Sequence, residues 1–81
     1  MSSRSHTVRA YILIHVRSGR SKAIAKELSE MPGIGTAHPC WGVPDVIVFA
    51  EVATQDELDH LVMEKIQRID GVERTDTHIV V

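Results

Sequence analysis

Asp45-Val46-Ile47-Val48-Phe49-Ala50-Glu51-Val52 is the stretch that decides the fold. Rich in β-branched and aromatic residues, it reads as a strand. Alternation places Val46, Val48, Ala50 and Val52 on one side and Ile47, Phe49 and Glu51 on the other, so the strand is largely apolar on both faces. Thr54-Gln55-Asp56-Glu57 follows at once and fits a capping box, in which a hydroxyl and a carboxylate satisfy the first free N–H groups of a helix. Leu58, Leu61, Val62, Ile66 and Ile69 then recur on one helical face, with Asp56, Asp59, His60, Glu64 and Arg68 mostly outside it. Gly71 is a natural C-cap, and a last strand runs from Glu73 to Val81.

Reading backwards from Asp45, Gly42-Val43-Pro44 is a turn and about Ile34 to Trp41 a short strand. Pro32-Gly33 ends a helix that starts at Ser21 and carries Ile24, Ala25, Leu28 and Met31 on one face. Arg17-Ser18-Gly19-Arg20 separates it from a first strand over residues 8–16, Val-Arg-Ala-Tyr-Ile-Leu-Ile-His-Val. Residues 1–7 are a polar N-terminus without a structural pattern, expected to be disordered, and residues 8–81 form one domain.

The two halves therefore repeat one plan, strand, helix, turn, strand. Their helix exits share a pattern, Met31-Pro32-Gly33-Ile34-Gly35-Thr36 against Asp70-Gly71-Val72-Glu73-Arg74-Thr75. Two βαβ halves on one sheet predict an α+β, ferredoxin-like βαββαβ fold. With right-handed crossovers the antiparallel strand order is 4-1-3-2 and both helices cover one face. On the first strand Ala10, Ile12, Ile14 and Val16 share a side, while Tyr11, Leu13 and His15 take the other. Helices cannot cover both apolar faces. A large apolar patch usually marks an interface, so Tyr11, Leu13, His15, Ile47 and Phe49 are expected to form a sheet-to-sheet dimer.

Length and composition agree with a chain that completes itself by association. At 81 residues with three aromatics, it is a thin domain, of a size that buries only about 60–65% of its unfolded surface. Nine Lys+Arg against eleven Asp+Glu give a net charge of -2 without a basic cluster, which argues against direct nucleic-acid binding. One cysteine permits no intrachain disulfide, there is no apolar leader, and no run approaches a membrane span. A cytoplasmic protein without a membrane partner is the expectation. No phosphate loop or Cys-x-x-Cys appears. His38 and Cys40 stand two apart on a strand without a third ligand, so neither a metal site, nor a catalytic residue, nor a cofactor is expected.

Gly42-Val43-Pro44-Asp45 ahead of a strong strand, with Gly71-Val72-Glu73-Arg74-Thr75-Asp76-Thr77 in the last, resembles the ligand-sensing domain of Lrp/AsnC-type regulators over essentially residues 8–81. That family carries a Gly-x-x-Asp motif in the middle hairpin and a Gly-Val-x-x-Thr-x-Thr pattern at the end. The resemblance implies an amino acid or related small molecule bound between dimers, and assembly to octamers or decamers. Two departures stand out: seven residues before the first strand do not supply a helix-turn-helix, which resembles the stand-alone form, and Pro44 stands where an aromatic is common.

The predicted topology brings Arg17, the Gly42–Asp45 turn and Thr75–Thr77 to one edge. Gly42 permits close approach of a ligand to the backbone, with Val43 and Pro44 beside it. Asp45 suits an α-ammonium, and the hydroxyls of Thr75 and Thr77 suit a carboxylate. The same residues also have a purely structural reading, Asp45 as turn chemistry and the threonines as β-formers. The expected function is a non-enzymatic effector-binding and oligomerisation domain that acts on full-length Lrp/AsnC regulators through assembly. The alternatives are a dimeric ferredoxin-like oxygenase or isomerase and a purely structural assembly module.

Overall fold

The computed structural model describes residues 7–81; of the polar N-terminus expected over 1–7, residues 1–6 lie outside it. Thr7 is exposed, and its hydroxyl donates to Glu51 Oε2 at 2.9 Å. The elements are β1 (Val8–Val16), α1 (Ser21–Ser29), β2 (Ile34–Pro39), β3 (Val46–Val52), α2 (Gln55–His60, continued by a π-helical turn over Leu61–Ile66) and β4 (Val72–Ile79). They form one antiparallel sheet in the order β2-β3-β1-β4, which is the predicted 4-1-3-2 arrangement read from the other edge.

Both helices pack on the side that carries Ala10, Ile12, Ile14, Val46, Val48 and Ala50, all with no exposed surface. Against these sit Ile24, Ala25 and Leu28 of α1, with Leu58, Leu61, Val62, Ile66 and Ile69 of the second helix and its exit. This core is wholly aliphatic, and no polar or charged residue is buried among the described residues. The cap of α2 has the predicted chemistry with one displacement. Thr54 Oγ1 accepts from the Glu57 N–H at 3.1 Å, whereas Glu57 Oε1 accepts from the N–H of Ala53, one residue before the cap. Thr54→Ala is expected to cost about 1 kcal/mol, read as a lower urea midpoint at unchanged slope.

The internal repeat holds, with a shift of one residue. Ile34 N donates to Met31 O at 3.2 Å, and Val72 N donates to Ile69 O at 3.1 Å. Each four-residue turn has its glycine in third place with positive φ, Gly33 at 92° and Gly71 at 101°, where a side chain is disfavoured. The equivalent exits are thus Met31-Pro32-Gly33-Ile34 and Ile69-Asp70-Gly71-Val72, glycine on glycine. At Gly33 a Cβ would also stand 3.0 Å from Val52 Cγ1.

Boundaries differ from the sequence reading at three places. β2 stops at Pro39 and leaves Trp41 outside the sheet and fully exposed; Pro39 has no N–H with which to continue a ladder. β4 begins at Val72 and ends at Ile79. The second helix widens into a π turn closed by Gln67 N on Val62 O at 2.9 Å, a change the apolar spacing does not reveal.

Candidate functional site

The Gly42–Asp45 turn joins β2 to β3 at the end of the sheet where β1 exits. Gly42 has φ 105° with open space around its Cα, and Trp41 and Val43 project from the same turn with 104% and 83% of their surface exposed. The Val43–Pro44 peptide bond is cis. Asp45 ties three segments together. Its N–H donates to Ile14 O at 3.0 Å, its carbonyl accepts from Cys40 N at 2.7 Å, and its carboxylate Oδ2 accepts from Val16 N at 3.0 Å. The side chain thus provides the acceptor that the β1–β3 ladder lacks at its end. Asp45 Oδ1 takes no hydrogen bond from the described residues.

Beside this turn lies a hollow of about 520 Å³ lined by Arg17, Ser18, Lys22, Trp41, Gly42 and Asp45, among others. Arg17 is partly engaged, with Nη2 3.0 Å from Asp70 Oδ2. Carboxylate, guanidinium, ammonium and hydroxyl groups at one mouth, with an indole beside them, suit a small zwitterion or anion.

Thr75 and Thr77 sit elsewhere. Thr75 is opposite Ile14 and Thr77 opposite Ile12, so both lie on the helix-covered side. Thr75 is half-buried and its Oγ1 accepts from Gln67 Nε2 at 2.8 Å; Thr77 is exposed. Thr75 lines a separate hollow of about 360 Å³ with Gln67, Val72, Glu73 and Arg74. Val46, Ile14 and Thr75 form one row across β3, β1 and β4, so Asp45 and Thr75 share an end of the sheet with the width of β1 between them, about 10 Å. Arg17 is brought to Asp45; the threonines of the same chain are not. A further hollow, about 380 Å³, lies at the opposite end beside Gly33, Val52 and Leu61.

The face opposite the helices is open. Register puts Thr36, Phe49, Tyr11 and His78 in one row, and His38, Ile47, Leu13 and Asp76 in the next. Tyr11, Leu13, His15, Ile47 and Phe49 thus share this face, as alternation predicts. Tyr11 is half exposed, and its ring stands 5.3 Å from that of Phe49. Asp76 Oδ2 is shared by Arg74 Nη2 at 3.1 Å and His15 Nε2 at 3.7 Å. Sequence reasoning missed Arg74, Asp76 and His78 here, and missed Gln67 behind Thr75. Alternation within β4 would have found the first three once Thr75 was known to face the helices. His38 and Cys40 gather no further ligand, and among the described residues no group of three or more His, Cys, Asp or Glu is placed to hold a metal. No described helix is long and apolar enough to cross a membrane.

A family model described as the Lrp/AsnC ligand binding domain matches residues 9–81. The chain belongs to the Lrp/AsnC ligand-binding-domain family. It is similar to the HTH-type transcriptional regulator FL11 of Pyrococcus furiosus, 31% identical over 75 residues, which is 93% of this chain and 49% of that protein. The crystal structure of FFRP-DM1 superposes with a TM-score of 0.86 at 31% identity, covering 91% of this chain and 99% of that one. The fold is also that of the transcriptional regulator NMB0573 of Neisseria meningitidis in its L-Met complex, with a TM-score of 0.81 at 17% identity over 91% of this chain and 49% of that one. The chain spans about half the length of the curated relatives it matches. Those relatives are transcriptional regulators, which makes this Lrp/AsnC family a regulatory one rather than an enzymatic one.

Proposed function

We propose that this Lrp/AsnC domain binds an amino acid or related small molecule through the Gly42–Asp45 turn and answers by changing its assembly. The observation that carries the proposal is the Gly-x-x-Asp turn at the mouth of a hollow, in a chain whose family model is a ligand-binding domain. Asp45 Oδ1 receives the α-ammonium, while Gly42, Val43 and Pro44 form the backbone wall. Because Asp45 and the Thr75/Thr77 pair of one chain do not share a hollow, the carboxylate is met by the threonines of another copy. The site is then complete only between dimers, and a ligand bound there favours the assembled state that contains it. Face-to-face packing through Tyr11, Leu13, His15, Ile47 and Phe49 makes the dimer, and dimers build an octamer or decamer. Association with full-length Lrp/AsnC regulators through the same contacts is the route to transcription, and NMB0573, named as an L-Met complex, lends the ligand class at the level of fold.

The experiment separates binding from folding by using two variants. Asp45→Asn keeps an oxygen for the Val16 N–H but removes the charge. Asp45→Ala removes both, and the lost hydrogen bond costs about 1–2 kcal/mol. Calorimetric titration of the wild type with the common amino acids is expected to give heat for at least one of them. Asp45→Asn should bind that ligand at least about tenfold more weakly with an unchanged unfolding midpoint. No heat with the wild type, or equal binding by Asp45→Asn, counts against the proposal.

A further inference from the structure

Among the described residues four histidines are present, and three of them, His15, His38 and His78, lie on the open sheet face. They flank its apolar centre from three strands: His38 in the row of Ile47 and Leu13, His78 in the row of Phe49 and Tyr11, and His15 two residues on from Leu13 along β1. His38 and His78 are exposed and His15 is half-buried. We infer that this face binds a second copy of the chain at neutral and higher pH and releases it in acid, with His15, His38 and His78 as the switch. The inference rests on the face-to-face dimer proposed above and adds its control.

Charge on the face supports a second copy as the occupant. The fixed charges are Arg9 on β1, Glu51 on β3, and Arg74 and Asp76 on β4; β2 contributes none, and the Tyr11 phenol is neutral below its ordinary range near 10. Two cations and two anions cancel, so with neutral imidazoles a copy meets a copy without net repulsion. Strands about 4.8 Å apart make a four-stranded face roughly 20 Å wide, a footprint suited to a small dimer of the ~800 Å²-per-partner class.

Protonation breaks that balance. Asp76 is already shared by Arg74 and His15, and Glu51 stands opposite Arg9 in register, so neither acid is left over for new cations. Three imidazolium groups bring each face to a net charge of three positives, doubled where two faces meet. Burial against a copy favours the uncharged ring and water favours the charged one. Acid therefore draws protons onto the free subunit and pulls the equilibrium toward it. Histidine changes charge near pH 6.5. Association is accordingly complete above that value and lost as pH falls through it.

The dimer dissociation constant of the full chain, measured by sedimentation equilibrium at pH 7.5 and pH 5.5, tests this. Each ring that must be neutral to associate contributes about tenfold per pH unit once it titrates, so a rise of at least about 100-fold is expected in acid. The triple variant His15→Gln/His38→Gln/His78→Gln should hold its constant within about threefold over the same range. The double variant His38→Gln/His78→Gln, altered only at exposed positions, should keep its fold and lose most of the dependence. A wild-type constant that does not move with pH, beside dissociation by Leu13→Lys, overturns the switch and leaves the dimer standing. Unchanged association in Leu13→Lys, or no association at pH 7.5, overturns both. A pH response retained in full by the triple variant overturns the switch.

Discussion

Replacing Ile12 with alanine is expected to destabilise the domain by about 3–4 kcal/mol. Ile12 has no exposed surface and sits at the centre of β1, between Val48 and Thr77 in register and beneath both helices. The substitution removes three carbons from a core in which every neighbour is aliphatic. The walls of the cavity are strands held on both sides by ladders, which leaves little room for collapse. At roughly 0.05–0.15 kcal/mol per residue, a chain of this length has about 4–12 kcal/mol in all. The change therefore removes a third or more of the total. Chemical unfolding of wild type and Ile12→Ala at one protein concentration reads the effect directly; a shared concentration is needed because association adds to apparent stability. A loss below about 1 kcal/mol would mean that the helices do not press on this side of the sheet.

How far such predictions were available without coordinates depends on distance along the chain. The strand and helix repeat, the Thr54 cap and the sides taken by Ile12 and Leu13 are all local patterns, and the structure follows them. The equivalence of the two halves was visible too, but its exact register was not, because only positive φ at Gly33 and Gly71 sets glycine on glycine. What was lost depended on pairing. Thr75 and Thr77 face the helices because of the way β4 meets β1, and that ladder contains an irregularity between His15 and Val16. A slip of one residue would turn both threonines to the open side, and nothing in Arg74-Thr75-Asp76-Thr77-His78 favours one side over the other. The bond from the Val16 N–H to Asp45 spans 29 residues and is beyond any motif. It also unites the structural and the ligand-binding readings of Asp45, since one oxygen closes the ladder and the other remains for a donor.

One residue further along β1 the expected result is the reverse. Leu13→Lys should leave the fold nearly as stable as before and weaken association at least about 100-fold, equivalent to roughly 3 kcal/mol. Leu13 is half-buried on the open face and stands opposite Asp76 on one side and Ile47 on the other. In the free subunit the new ammonium finds Asp76 across the strand pair, and opposite charges there are mildly stabilising. In a face-to-face dimer the same ammonium lies at the apolar centre near its own copy, where an unpaired charge loses its water without a partner. An acidic substitution would be a poorer probe, because it would sit beside Asp76 and strain the single chain as well. Light scattering after gel filtration gives the oligomeric state, and thermal unfolding at low protein concentration gives the fold. Wild-type assembly by Leu13→Lys would move the interface to another surface. Unfolding of the variant would mean that this side of the sheet is needed by the single chain. Dissociation without unfolding, set against the core loss in Ile12→Ala, would assign the two sides of β1 their separate tasks, one to folding and one to association.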